Sequence, residues 1–225
     1  MISSKYDSEI KLSWMLATLA GFLAAIAFTH SEGYFVTFMT GNAGRSVLGW
    51  FTGDHWLSIT TTALLISFLS GVVIASICRR KVWPGHPHGG LLLTSGSLLA
   101  STLLDLAEAG PSLPVPLVPI LLVAFGVGAL NTTFVRDGEV SIPLSYVTGT
   151  LVKLGQGIER HIAGGSIHEW FGNLMLLLSY MFGAALGGCV SLFADGEWML
   201  ALATGVCVLA TWATHRYVDR RGVWK

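Results

Sequence analysis

The chain has 225 residues, of which 52% are hydrophobic and 12% are charged, and its acidic and basic residues cancel to a formal net charge of zero. Soluble domains average about 25% charged residues, so this composition predicts a protein that lies mainly in lipid. It argues against a nucleic-acid partner, because no run of Lys and Arg is long enough to follow a phosphate backbone.

Six apolar stretches approach the ~20 residues that a helix needs to cross the hydrocarbon core of a bilayer. They are Leu12 to Phe28, Leu57 to Cys78, Leu91 to Leu106, Val115 to Thr133, Trp170 to Phe193 and Trp198 to Ala213. The first stretch is too long for a signal peptide and lacks a cleavage site of small residues, so it is interpreted as a retained helix. The sequence therefore predicts an all-α membrane protein with six spans.

Basic residues mark the side of the membrane on which each loop lies. They precede the first span and follow the second and the sixth: Lys5, Lys11, Arg79, Arg80, Lys81, Arg216, Arg220, Arg221 and Lys225. Cytoplasmic loops carry an excess of Lys and Arg, and six crossings place all of these groups on that side. Both termini are therefore expected to be cytoplasmic.

Two similar polar motifs lie between spans. FMTGN (38–42) follows the first span and YVTGT (146–150) follows the fourth, and neither segment is long or apolar enough to cross. If both motif segments crossed, one of the basic clusters would lie on the wrong side. They are therefore expected to be re-entrant, entering and leaving the membrane on the same face.

The two halves of the chain align as a duplication. Phe38 matches Tyr146, and the following polar and glycine positions also match, in the order Thr40, Gly41, Asn42, Arg45 and Thr148, Gly149, Thr150, Lys153. Residues 1–112 are predicted to form the first repeat and 113–225 the second, within one integral membrane domain. Because each repeat has three spans, the second is expected to be inverted relative to the first.

The motifs predict a site at mid-membrane. Phe35 to Met39 is expected to be extended, with short helices starting near Ala43 and Leu151. Thr40 or Asn42 would cap the first helix, and Thr148 or Thr150 the second. Irregular backbone at this depth must be buried in protein or line a wet cavity, and two inward-pointing helix N-termini favour an anion or a polar solute.

The predicted solute-binding residues are those of the two motifs, their basic neighbours and one amide of the fourth span. They are Thr40, Gly41, Asn42, Arg45, Asn131, Thr148, Gly149, Thr150 and Lys153. Alternatives stay open for several of them. The motifs could be ordinary capped loops, Arg45 and Lys153 could extend to the membrane interface, and Asn131 could be a hydrogen-bonding contact between helices.

Other residues have a structural interpretation. Asp105 and Glu108 are expected to be solvated at the end of the third span, with a proton-coupling role for Asp105 as the alternative. Gly183 with Gly187, and a row of small residues around Gly71, predict close helix packing within the chain or between two copies. The three cysteines lack a CxxC pair, and no GxSxG, HExxH or Walker sequence occurs, so no catalytic residue, metal or cofactor is predicted.

AGFLAAIAF (20–28), GYFVTFMTGNAGR (33–45) and LSYVTGTLVKLGQ (144–156) resemble the YoaK family of bacterial inner-membrane proteins. The resemblance covers nearly the whole chain and implies a multi-pass inner-membrane protein of six spans, with no established substrate. The family usually has an Asp where this chain has Ala24, and often a Gln where it has Leu130. If that Asp couples transport to protons or cations, this chain lacks the coupling.

These patterns favour a membrane transporter or channel for a small polar or anionic solute. The alternative is a non-transporting scaffold or accessory subunit that binds a partner through its small-residue faces, and a weaker third hypothesis is an enzyme acting on a lipid-linked substrate. The expected partners are the lipid bilayer, the solute and a second copy of the chain.

Overall fold

A computed structural model describes residues 2–31, 33–84, 86, 88–107, 117–136, 138–194 and 196–217. These residues form eight helices and a small antiparallel hairpin. The helices are α1 (Ile2–His30), α2 (Met39–Thr52), α3 (His55–Lys81), α4 (His88–Ala107), α5 (Leu117–Leu130), α6 (Val147–Ile162), α7 (His168–Val190) and α8 (Gly196–Tyr217). The hairpin pairs β1 (Val135–Arg136) with β2 (Glu139–Val140), between α5 and α6.

The lengths of the helices agree with a multi-pass membrane protein. Within the described part of the chain, α1, α3, α4, α7 and α8 are long and apolar enough to cross a bilayer. Helix α5 is strongly apolar but has only 14 residues. The predicted start of its span at Val115 lies outside the described residues, as does Glu108. The predicted all-α membrane fold is thus confirmed, with five such helices and one shorter apolar helix.

Corresponding helices of the two halves make corresponding contacts. Helix α1 packs against α7, and α5 packs against α3. Helix α2 lies on α3 as α6 lies on α7, and α4 and α8 pack on each other. Two hydroxyl pairs join α4 to α8, from Ser95 to Thr211 at 2.8 Å and from Thr102 to Thr204 at 2.9 Å. Such pairs are typical of helix contacts in lipid, where polar groups must find partners inside the protein.

Small residues make the closest helix contacts. A Cβ added at Gly183 would meet the backbone of Thr18 on α1, and one added at Gly71 would meet the backbone of Phe125 on α5. Ser67, one turn before Gly71, donates a hydrogen bond of 2.6 Å to the carbonyl of Leu121. The small-residue rows therefore pack within the chain, which is the first of the two interpretations that the sequence allowed.

The prediction that Asp105 is solvated is wrong. Its side chain is 7% exposed, and its Oδ1 lies 3.0 Å from Nε2 of His30 at the end of α1. Its second oxygen, Oδ2, is buried and has no hydrogen-bond partner among the described residues. The sequence could not show this, because the pair forms only when α1 and α4 end beside each other.

Candidate functional site

The two motif helices begin in the same way. Phe38 precedes the first turn of α2 with φ −92° and ψ 70°, and Tyr146 precedes that of α6 with φ −87° and ψ 67°. Neither helix has a side-chain cap. The predicted caps, Thr40 or Asn42 and Thr148 or Thr150, are therefore wrong, because both helices start before these residues. Their first-turn N–H groups consequently lack a capping oxygen.

The motif glycines are explained by these aromatic residues. A Cβ at Gly41 would overlap the ring of Phe38, and a Cβ at Gly149 would overlap the ring of Tyr146. Each ring thus folds over the first turn of its own helix, where only a glycine leaves room for it. The same aromatic-x-Thr-Gly pattern therefore produces the same local structure in both halves.

Both motifs line a single cavity of about 860 Å³. From the first motif segment come Phe35, Thr37, Phe38, Met39 and Thr40, and from the second Ser145, Tyr146, Val147 and Thr148. The spans add Ala24, Ala25, Phe28 and Thr29 from α1, Phe68 and Val72 from α3, Tyr180, Ala184 and Gly188 from α7, and Asn131 after α5. Val140 and Pro143 complete the lining. The motifs, more than a hundred positions apart in the sequence, thus meet at one partly open cavity.

The wall is mostly carbon, with a few polar groups. Thr37 Oγ1 and the Tyr180 hydroxyl lie 3.0 Å apart. Asn131 donates from Nδ2 to the Ser145 hydroxyl at 2.8 Å and accepts from the Ser145 backbone N–H at 3.1 Å. Asn131 therefore both lines the cavity and ties the end of α5 to the second motif segment, and its contact with a solute stays a prediction.

The hydroxyls of Thr40 and Thr148 differ from these groups. Both threonines line the cavity from the first turn of their helices. Neither hydroxyl makes a hydrogen bond to any residue that the structure describes, although the other lining hydroxyls of Thr29, Thr37, Ser145 and Tyr180 all have partners. These two equivalent side chains can therefore bind a solute without breaking an internal contact.

Asn42 and Arg45 lie behind the first motif segment. The side chain of Asn42 is fully buried and donates a 2.6 Å hydrogen bond from Nδ2 to the carbonyl of Phe35. Arg45 donates from Nη1 to the carbonyl of Gly33 at 3.1 Å, and its guanidinium lies 5.4 Å from the centre of the Phe35 ring. Neither residue lines the cavity. They hold the segment 33–35 against α2.

The equivalent residues of the second half are arranged differently. Thr150 donates to the Tyr146 carbonyl of its own helix, at 3.1 Å. Thr150 and Lys153 line a smaller cavity of about 270 Å³, together with Ser141, Ile142 and Pro143. Pro143 lines both cavities. The chain between the hairpin and α6 thus separates two spaces, and no bond like that of Asn42 ties it to the motif helix among the described residues.

Thr40, Asn131 and Thr148 are the predicted site residues that the structure brings together. Gly41 and Gly149 lie beneath their aromatic neighbours, and the other four line no part of the shared cavity. The sequence patterns did not predict the aromatic residues that line the cavity. An aromatic residue three positions before each motif glycine was the signal for Phe38 and Tyr146, whereas nothing marked Phe68, which only the packing of α3 places there.

The described residues contain no group of three or more His, Cys, Asp or Glu side chains that could hold an ion.

The helices, the aromatic-lined cavity and the internal glycine contacts define a multi-pass helical membrane protein. The profile of the family described as "Protein of unknown function (DUF1275)" matches residues 12–213, and the chain therefore belongs to this family. It is 29% identical over 210 residues to UPF0700 transmembrane protein RA0705 of Rhizobium meliloti (strain 1021), covering 92% of this chain and 85% of that protein. No solved structure matches. The resemblance to the YoaK family is thus confirmed.

Proposed function

We propose that the chain is a bacterial inner-membrane transporter or channel for a small solute with polar groups. In this proposal it crosses the membrane six times, with both termini in the cytoplasm. Residues 1–112 and 113–225 form two inverted repeats, and the solute passes through the cavity that the two TG motifs share. The chain would act without catalysis and without a cofactor.

The shared cavity is the observation that supports the proposal most strongly. Thr40 and Thr148 come from different halves and line the same space. Transporters built from inverted repeats typically bind their substrate at the interface of the repeats, between discontinuous helices near mid-membrane. The matching contacts of α1 with α7 and of α5 with α3 also support two related halves.

The difference between the two halves suggests how access could alternate. The segment 33–35 is held by Asn42 and Arg45. The segment 140–145 instead lies between two cavities and shares Pro143 with both. We propose that the second segment moves to open one side of the membrane while the first stays closed, because the second segment lies between the two cavities and its displacement would join them. The hydrogen bonds between Ser145 and Asn131 would have to break in this movement.

Ala24 bears on whether transport by this chain is coupled to the movement of a proton or a cation. It lines the cavity, so the position that holds an acid in the resembling family adds no charge to the wall here. We propose that this chain moves its solute without a proton or cation bound at that position.

Osmotic swelling of proteoliposomes tests the proposal on a panel of small solutes. Vesicles are mixed with hyperosmotic glycerol, urea, acetamide, glycine or lactate, and reswelling is followed by stopped-flow light scattering. At least one solute is expected to enter faster than into protein-free vesicles. Thr40→Leu and Thr148→Leu should reduce that rate, whereas Thr52→Leu, at the exposed end of α2, should not. Protein-free rates for the whole panel would contradict the proposal.

The scaffold hypothesis relied on free small-residue faces. Gly183 and Gly71 are instead covered by α1 and α5 of the same chain. Those faces offer no surface to a partner, which favours the transport proposal over the scaffold.

A further inference from the structure

We infer that the solute is uncharged and carries an apolar body with a few hydrogen-bonding groups, an inference that rests on the proposed function of the cavity. No Asp, Glu, Lys, Arg or His side chain lines the cavity among the residues that the structure describes. An ion bound against this mostly apolar wall would give up part of its hydration without gaining a counter-charge, which is unfavourable.

The two cations that the sequence placed at the site do not supply a counter-charge. The guanidinium of Arg45 is bound to the Gly33 carbonyl and lies over the ring of Phe35. Lys153 is exposed and lines the smaller cavity beyond Pro143. An anion in the shared cavity would therefore meet neither side chain directly.

The lining is electrostatically mixed rather than of one sign. Aromatic faces carry partial negative charge and disfavour an anion. Six aromatic residues line the cavity: Phe28, Phe35, Phe38, Phe68, Tyr146 and Tyr180. The uncapped N-termini of α2 and α6 also border the cavity, and their partial positive charge disfavours a cation. An ion of either sign is thus attracted by one part of the wall and repelled by another.

A neutral dipolar solute can interact favourably with both the aromatic residues and the helix N-termini that line the cavity. Its apolar body can pack on the aromatic rings, while its carbonyl or hydroxyl oxygens can accept from the first-turn N–H groups. The hydroxyls of Thr40 and Thr148 can donate or accept, and both lack a partner among the described residues. The volume of about 860 Å³ fits a molecule larger than water or glycerol and within the usual range of small-molecule sites.

A pair of probes that differ in one group tests the charge preference. N-acetylphenylalaninamide is neutral, and N-acetylphenylalanine has the same ring and acetyl group with a carboxylate in place of the amide. Benzyltrimethylammonium supplies a cation with a similar ring. Binding of each is measured by isothermal titration calorimetry on the full chain in lipid nanodiscs, and uptake is measured in proteoliposomes.

The neutral probe is expected to bind at least about tenfold more tightly than either ion, which corresponds to about 1.4 kcal/mol. Thr148→Val and Thr40→Val keep the side-chain shape and remove the hydroxyl, so each should weaken neutral binding several-fold. Thr52→Val is the matched control and should bind like the native chain. Thermal unfolding of the same preparations shows that each variant is folded.

The outcomes separate this inference from the proposed function. Equal or tighter binding of an ion overturns the inference, while uptake of that ion still supports transport. Binding of the neutral probe without uptake supports the solute class and counts against transport. Failure of all three probes to bind overturns the inference, and the swelling assay then decides on transport by itself.

Discussion

Replacing Gly149 by alanine tests whether the motif glycine exists to accommodate the ring of its aromatic neighbour. A Cβ at Gly149 would overlap the ring of Tyr146, which must then rotate away. Gly155 lies on the same helix and has no atom within 4 Å of an added Cβ. Gly155→Ala is therefore a matched control that changes helix propensity without creating a contact.

The expected difference follows from two contributions. Alanine favours a helix over glycine by about 1 kcal/mol, and this gain is similar for both variants. The Tyr146 ring is exposed and can rotate away from the added Cβ, at a cost of ~0.5–1.5 kcal/mol for an unfavourable rotamer. Gly149→Ala should therefore be less stable than Gly155→Ala by roughly 0.5–1.5 kcal/mol. For a chain of this size, each kcal/mol lowers the midpoint of thermal unfolding by about 2–4 °C.

A double-mutant cycle identifies the cause. In a Tyr146→Ala background the overlapping ring is gone, so Gly149→Ala and Gly155→Ala should unfold at the same temperature. Because Tyr146 lines the cavity, Gly149→Ala alone should also weaken binding of the neutral probe. Equal stability of the two single variants, or a difference between them that persists without the ring, would show that the Tyr146 ring is not the reason for glycine at position 149.

Three further changes test other contacts. Gly183→Ala should force α1 and α7 apart and lower the free energy of unfolding by about 1–3 kcal/mol. The control is Gly172→Ala on the same helix, where an added Cβ meets no atom within 4 Å. Equal midpoints of thermal unfolding for the two variants would contradict the close packing of Gly183 on α1. Asn42→Leu removes the donor to the part-buried Phe35 carbonyl, at a cost of about 1 kcal/mol, and should speed amide hydrogen exchange in 33–35. Unchanged exchange would show that Asn42 does not hold this segment. Asp105→Ala should lower the free energy of unfolding by roughly 1–3 kcal/mol more than Asp105→Asn, because asparagine keeps an oxygen that can accept from His30. Equal free energies of unfolding for the two variants, measured by chemical denaturation, would argue against the contact between His30 and Asp105.

Composition and hydropathy were sufficient to predict the spans. Long apolar runs have one stable solution in lipid, a helix that satisfies its own backbone, so α1, α3, α4, α7 and α8 followed directly from the sequence. The packing of Gly183 and Gly71 was left open between one chain and two. Small residues predict close approach of helices but not which helix approaches.

The motif helices show where local pattern reasoning failed. Threonine caps are common, which placed the helix starts near Ala43 and Leu151. The helices begin at Met39 and Val147 instead, each with an aromatic ring over its first-turn glycine and without a side-chain cap. Such a start depends on the space around the ring, and propensity does not describe that space.

The sequence predicted some of the residues that line the cavity and not others. The threonines Thr40 and Thr148 were recognised from the repeated motif, and both line the cavity. The same periodicity suggested Arg45, but its direction is set by the Gly33 carbonyl on a neighbouring segment. The direction of a long side chain depends on tertiary contacts that no spacing rule contains.

Cysteine protection at the two motif threonines tests most directly whether both halves share one solute site. Thr40→Cys, Thr148→Cys and the control Thr52→Cys are made singly in a chain whose three native cysteines are alanine, and labelling by N-ethylmaleimide is timed. The account predicts that both motif cysteines react and that N-acetylphenylalaninamide slows both to the same extent, with one apparent affinity, while the control stays unprotected. Protection of only one motif cysteine, or two different apparent affinities, would contradict a single site formed by both halves.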